Sequence, residues 1–259
     1  MLTKAIPVRA FCAAIVFGVS ALGVATANAA SFIVSADISL FTQSIVSSSG
    51  SLAGLHVEGF SETSNQQFAE GEAFSEGDGD TTFLFSDGGG TPGSAFYDMT
   101  VFSNADGSAS IPFGSAVIES TAERTVASVG FLVLENTSAT DTYEITYDIF
   151  GFLGASVADM SGGISDAAAE AIVEFWVNGS LVDSVSLFAD LTFGPPDDFF
   201  DVMDDFSITL NPQESVELEL RAGASGFASA IIPVPAALPL MSSALLGLVG
   251  LARRRATLG

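Results

Sequence analysis

Hydrophobic and polar positions alternate with period two through most of the middle of this chain. In Thr142–Ile149, Tyr143, Ile145, Tyr147 and Ile149 fall on one side, and Thr142, Glu144, Thr146 and Asp148 on the other. That is the pattern of a strand with one buried and one wet face. Phe32, Val34, Ala36, Ile38 and Leu40 alternate in the same way, as do Val216, Leu218 and Leu220 and the shorter Phe206, Ile208 and Leu210. Val126–Leu134 is apolar on both sides, which predicts a strand flanked by others. Asn178-Gly179 separates two alternating runs, Ala171–Val177 and Leu181–Leu187. Both residues tolerate positive φ, so the pair predicts a hairpin with a type I′ turn. Asn211-Pro212-Gln213 and the Gly-rich Ser86–Gly93 predict turns. Ser165–Glu170 carries a faint helical signal that an Ala-rich strand explains as well. Many short strands with turn punctuation predict an all-β chain. The expected architecture is an antiparallel β-sandwich, jelly-roll or immunoglobulin-like in kind.

Polar stretches interrupt the pattern and read as loops. Glu76-Gly77-Asp78-Gly79-Asp80 alternates carboxylates with glycine. Asn104-Ala105-Asp106-Gly107-Ser108 has the spacing that opens a calcium loop, without the glutamate that closes an EF-hand. Asp197, Asp198, Asp201, Asp204 and Asp205 follow Pro195-Pro196, with Phe199, Phe200, Val202 and Met203 interleaved. Two readings stand for these acids. They are solvated charge, or the first and last stretches converge oxygens on calcium through Asp78, Asp80, Asp197, Asp198 and Asp201. Asn104–Pro112 reads as a weak seam within one domain. Gly223-Ala224-Ser225-Gly226 reads as a linker toward Pro233.

The two ends depart from period two altogether. Lys4 and Arg9 precede an apolar stretch from Ala10 to Ala25, and Ala27-Asn28-Ala29 supplies small residues. This layout predicts a signal peptide over 1–29, cleaved after Ala29. The competing reading is a first membrane-spanning helix. At the other end, Ala236–Ala252 is an uncharged span of 17 residues closed by Arg253, Arg254 and Arg255. It is just long enough to cross a hydrocarbon core of about 30 Å. The arginines place the tail in the cytoplasm and the domain outside.

Ile232-Pro233-Val234-Pro235-Ala236-Ala237-Leu238-Pro239-Leu240 opens that span. The segment resembles the PEP-CTERM class of bacterial sorting tails, and within it the VPLPA-CTERM variant. Ile232 stands where that pattern has Val, and Val234 where it has Leu. The resemblance covers 232–259 and leaves the domain over 30–231 unassigned. It implies an exosortase-type membrane transpeptidase as partner, after signal peptidase and the general export machinery. It also implies a membrane-inserted intermediate, final placement at the cell surface or extracellular matrix, and a link to exopolysaccharide. A permanent, unprocessed anchor is the alternative.

Composition sharpens this picture. All 31 acidic residues lie between Asp37 and Glu219, and Arg124 and Arg221 are the only basic residues of 30–231, a balance of −29 for that segment. Such a surface repels nucleic acid and anionic polymers and favours cations. The one cysteine, Cys12, lies in the N-terminal segment. No disulfide can therefore stabilise the exported part. His56 is the only histidine, which excludes His/Cys zinc sites; in Leu55-His56-Val57 it reads as an exposed strand residue, with no cysteine nucleophile or second histidine to work with. Paired carboxylates for glycoside chemistry remain open, since two acids suffice. No phosphate loop or dinucleotide fingerprint occurs. The expectation is a non-enzymatic structural or adhesive surface protein without a cofactor, calcium aside. The alternatives are a carbohydrate-binding module, which needs aromatics in a row on one sheet face, and a glycoside-active enzyme, which needs two close carboxylates in a cleft.

Overall fold

The computed structural model describes residues 26–112, 119–159, 164–191 and 197–231. The apolar N-terminal stretch up to Ala25 and the whole segment from Ile232 onward, including the span and Arg253–Arg255, lie outside the described residues. Ten strands form: β1 (Thr26–Ser47), β2 (Leu55–Glu70), β3 (Glu72–Ser86), β4 (Phe96–Pro112) and β5 (Glu119–Asn136). They continue with β6 (Tyr143–Asp159), β7 (Ile164–Val177), β8 (Ser180–Asp190), β9 (Asp197–Leu210) and β10 (Ser215–Ile231).

The strands build two antiparallel sheets, β3-β4-β1-β6-β9 and β2-β5-β10-β7-β8. The sheets stack face to face, with β1 over β10 and β7, and β4 over β10 and β5. This is a β-sandwich. The immunoglobulin plan puts its first strand at a sheet edge; here β1 lies in the middle of its sheet, so the strand order differs from that plan. The strands are long. β4 and β6 have 17 residues each and run roughly 55 Å at ~3.3 Å per residue.

Alternation sets the core. Tyr143, Ile145 and Tyr147 are fully buried, as are Phe32, Val34 and Leu40 of β1, and Leu218 and Leu220 of β10. Asn178 and Gly179 both take positive φ, 49° and 70°, as a type I′ turn requires. Gly88, Gly89 and Gly90 also have positive φ in the turn after β3.

Several expected loops are strands. Glu76–Asp80 lies within β3, Asn104–Ser108 and the proposed seam within β4, and Asp197–Asp205 within β9. Gly223–Gly226 is no linker but the middle of β10, and Ser165–Glu170 is part of β7. One physical reason is shared by the glycine-bearing stretches. Their small residues make room for bulky ones on the facing layer. A Cβ at Gly107 would come 2.6 Å from the Phe32 ring, and one at Gly226 would collide with the same ring. Phe32 thus seats between β4 and β10. Gly77 and Gly79 likewise turn toward Val126 of β5, leaving Glu76, Asp78 and Asp80 exposed on the outer face.

Candidate functional site

The outer face of the first sheet collects acids and phenylalanines in register. Asp80, Phe102, Asp37 and Phe152 are directly opposed there across β3, β4, β1 and β6, and Asp201 takes the next register position on β9. Asp37 is partly buried beside its aromatic neighbours. Burial pushes its carboxyl above the ordinary range, and a hydrogen bond from the Ser39 hydroxyl offsets part of that. Burial also raises Asp98, against the Thr42 N–H that donates to it at 2.8 Å. Asp106 is raised by burial and then by Glu76 opposite it, while Arg124 pulls the other way.

The residues expected to hold calcium fall on this sheet. Asp78 and Asp80 each accept a hydrogen bond from the next residue's N–H, at 2.9 and 2.7 Å. Asp197, Asp198 and Asp201 take register positions on β9 opposite Ser156, Ala155 and Phe152. The first pair and the last group therefore lie on opposite edges of a five-stranded sheet, three strands apart. Among the described residues no three His, Cys, Asp or Glu side chains stand close enough to hold a metal ion.

Asp148 and Asp205 face each other across β6 and β9. Desolvation raises the Asp148 carboxyl first, and its hydrogen bond to Asp205 raises it further. Two carboxyls in direct hydrogen bond are closer than the ~5 Å or more that glycoside hydrolysis uses. A cavity of about 50 Å³ opens nearby, lined by Ile38, Phe175, Val185 and Phe206 together with Asp183 and Asp205.

The outer face of the second sheet is different in chemistry. Phe60, Phe131, Glu219, Trp176 and Leu181 form one row across β2, β5, β10, β7 and β8. Phe60 and Phe131 stack with centroids 4.5 Å apart and planes 12° apart, and Phe60 remains 47% exposed. The next row carries Arg221 opposite Glu174. The Arg221 guanidinium lies 4.4 Å from the Trp176 ring centre and is 3.6 Å from Glu174. It also pairs with Glu219. The indole N–H donates to Glu174 at 2.9 Å. Arg221, the one arginine on this face among the described residues, is thereby neutralised, and one indole face is covered by it. On the other side of the aromatic row, His56, Glu58, Val133, Glu135 and Thr137 line a depression of about 250 Å³. His56 is exposed on β2, opposite Glu135.

Period two within Ala171–Val177 puts Trp176 on one face with Ile172 and Glu174, but it does not reveal the row. Its other members come from β2, β5, β8 and β10, and only the register aligns them. Of these, only Glu219 was on the polar side of its strand by alternation; the stretch around Phe131 reads as apolar on both sides, and Phe60 carries no strand signal of its own. At the N-terminal boundary, Ala27 and Ala29 belong to the first residues of β1, and Ala29 pairs opposite Ser110. Cleavage after Ala29 would leave Ala30 to start that strand. The sorting residues Ile232, Pro233, Val234, Pro235 and Ala236 lie outside the described residues. The chain matches no protein-family model, no curated protein and no solved structure.

Proposed function

We propose that this chain is an exported bacterial surface or matrix protein. A signal peptide over 1–29 directs export, the acidic sandwich over 30–231 is the working part, and 232–259 is a sorting tail. In this reading an exosortase-type transpeptidase releases the domain from a transient membrane intermediate, and the domain then serves a structural or adhesive role beside exopolysaccharide. The observation that carries it is the order of features at the C-terminus: Ile232–Leu240 with its spaced prolines, an uncharged span, and Arg253–Arg255. The concentration of five of the seven basic residues in the two end segments fits the same reading.

The test is fractionation of the native host. The wild-type protein should reach the outer surface with Ala30 or Ser31 at its N-terminus and without its basic tail. Replacing Pro233 and Pro235 should leave it full-length at the C-terminus and held in the inner membrane. If that variant reaches the surface with a normal C-terminus, the motif is not a sorting signal.

A second reading concerns what the sandwich does once outside. The row Phe60–Phe131–Glu219–Trp176–Leu181 supports carbohydrate binding, because aromatic rings on one face, with the exposed acceptors Glu58 and Glu135 beside them, suit a pyranose's apolar face and hydroxyls.

A further inference from the structure

The depression beside Phe60 is the best candidate for a ligand on this face. Phe60 follows Glu58 by two residues on β2, and Phe131 precedes Val133 by two on β5, so the stacked rings and the depression share one outer surface. At about 250 Å³ the depression is several times the volume of the cavity on the other edge. Its charged groups are mostly acidic: Glu58 and Glu135 line it beside His56, Glu217 is in register with Val133 on the neighbouring β10, and Glu62 follows Phe60. Arg221, the only arginine on this face among the described residues, is already held by Glu219 and Glu174.

From this charge complementarity we infer that the face binds a glycan carrying free amino groups, a de-N-acetylated hexosamine chain. The inference rests on the carbohydrate-binding reading above. A ring stacks on the exposed Phe60, and its protonated amine meets Glu58 and Glu135. Carboxylates accept from an ammonium more strongly than from a neutral amide or hydroxyl. The same carboxylates repel uronic acid chains. Binding requires both parts: the aromatic ring confers a fit that diffuse charge does not.

The experiment is calorimetric or NMR titration of the purified full-length chain, kept in mild detergent because of its apolar ends. The probes are a glucosamine hexamer, its N-acetylated counterpart, a uronate oligomer and an oligolysine, all at about 0.15 M ionic strength to limit long-range attraction. The glucosamine hexamer should bind at least tenfold tighter than the N-acetylated one, with no binding of the uronate. Phe60→Ala and Glu135→Gln, both at exposed positions, should each weaken it about tenfold. Phe41→Ala, exposed on the opposite sheet, should leave it unchanged and reports that the fold is intact. Tighter binding of the N-acetylated chain would overturn the amino-sugar assignment and keep the carbohydrate reading. No binding of any glycan would overturn both. Equal binding of oligolysine and glucosamine, insensitive to Phe60→Ala, would reduce the face to an acidic coat.

Discussion

Single residues decide how closely the two sheets approach. Phe32 occupies space that Gly107 and Gly226 leave open. Gly226→Ala should therefore cost about 1–3 kcal/mol through overpacking, read as a lower denaturant midpoint. Phe32→Leu in the same chain should recover part of the loss, because the two positions touch and their effects cannot add. Asp37 tests the opposite sheet face. Its carboxyl is raised above 3.8 by burial, so the folded chain binds its proton more readily than the unfolded chain does. Between the raised value and 3.8 the folded state holds more protons, and stability falls as pH rises through that window. Asp98, Asp106 and Asp148 shift in the same direction. Acidifying from neutral pH toward 3.8 should raise Tm, with no further gain from these groups below that value. Asp37→Asn should be more stable at pH 7 by up to ~1 kcal/mol and should flatten the acid-side rise. A Tm that falls steadily from pH 7 to 4 would contradict this account.

At the scale of elements, the β2–β3 side shows how an edge is closed without another strand. β3 is the last strand of its sheet, and its outward carbonyls need donors. Asn65 and Gln67 of β2 donate to Gly77 O at 3.0 Å and to Ser75 O at 2.9 Å. Arg124 of β5, only 8% exposed, donates to Gly77 O at 3.0 Å and to Gln67 Oε1 at 2.9 Å. Side chains of one sheet thus cap the edge of the other. Arg124→Ala should cost about 2 kcal/mol, from a lost buried donor and lost packing of the arginine stem. Hydrogen exchange should quicken at the β2–β3 side before the central strands. Nothing local announces this role. Arg124 sits in Glu123-Arg124-Thr125 and reads as an ordinary surface arginine until β5 is placed beside β2 and across from β3. The acidic stretches misled for a related reason. Glycine and aspartate have low strand propensity, yet β3 and β9 are held by pairing with β4 and β6.

On the scale of the whole molecule, charge is the dominant unknown in stability. Two arginines against 31 acids leave −29 on the domain, and its compaction is opposed by self-repulsion. The calcium reading and the screening reading differ in an experiment. Thermal melting should show stability rising with ionic strength, whatever the cation, as the Debye length shrinks below about 10 Å. At fixed ionic strength, millimolar calcium should add nothing beyond magnesium. A calcium-specific rise lost in Asp78→Asn/Asp80→Asn or in Asp198→Asn/Asp201→Asn would establish a site, since a ligand bound only by the folded state stabilises by mass action.

The sequence by itself determined the all-β class, the buried side of most strands, the Asn178-Gly179 turn and the layout of the two ends. Each of these is local: period two is written in neighbouring residues, and a turn or an apolar span depends on a few consecutive positions. Which strands neighbour one another, which glycines receive a ring, and which aromatics form a row were decided only by tertiary structure. Pairing joins residues as far apart as Phe60 and Phe131, or Arg221 and Glu174, and alternation assigns a face to each strand without assigning a partner. The candidate ligand face belongs to this second kind. Its residues are individually ordinary, and their chemistry arises from register alone.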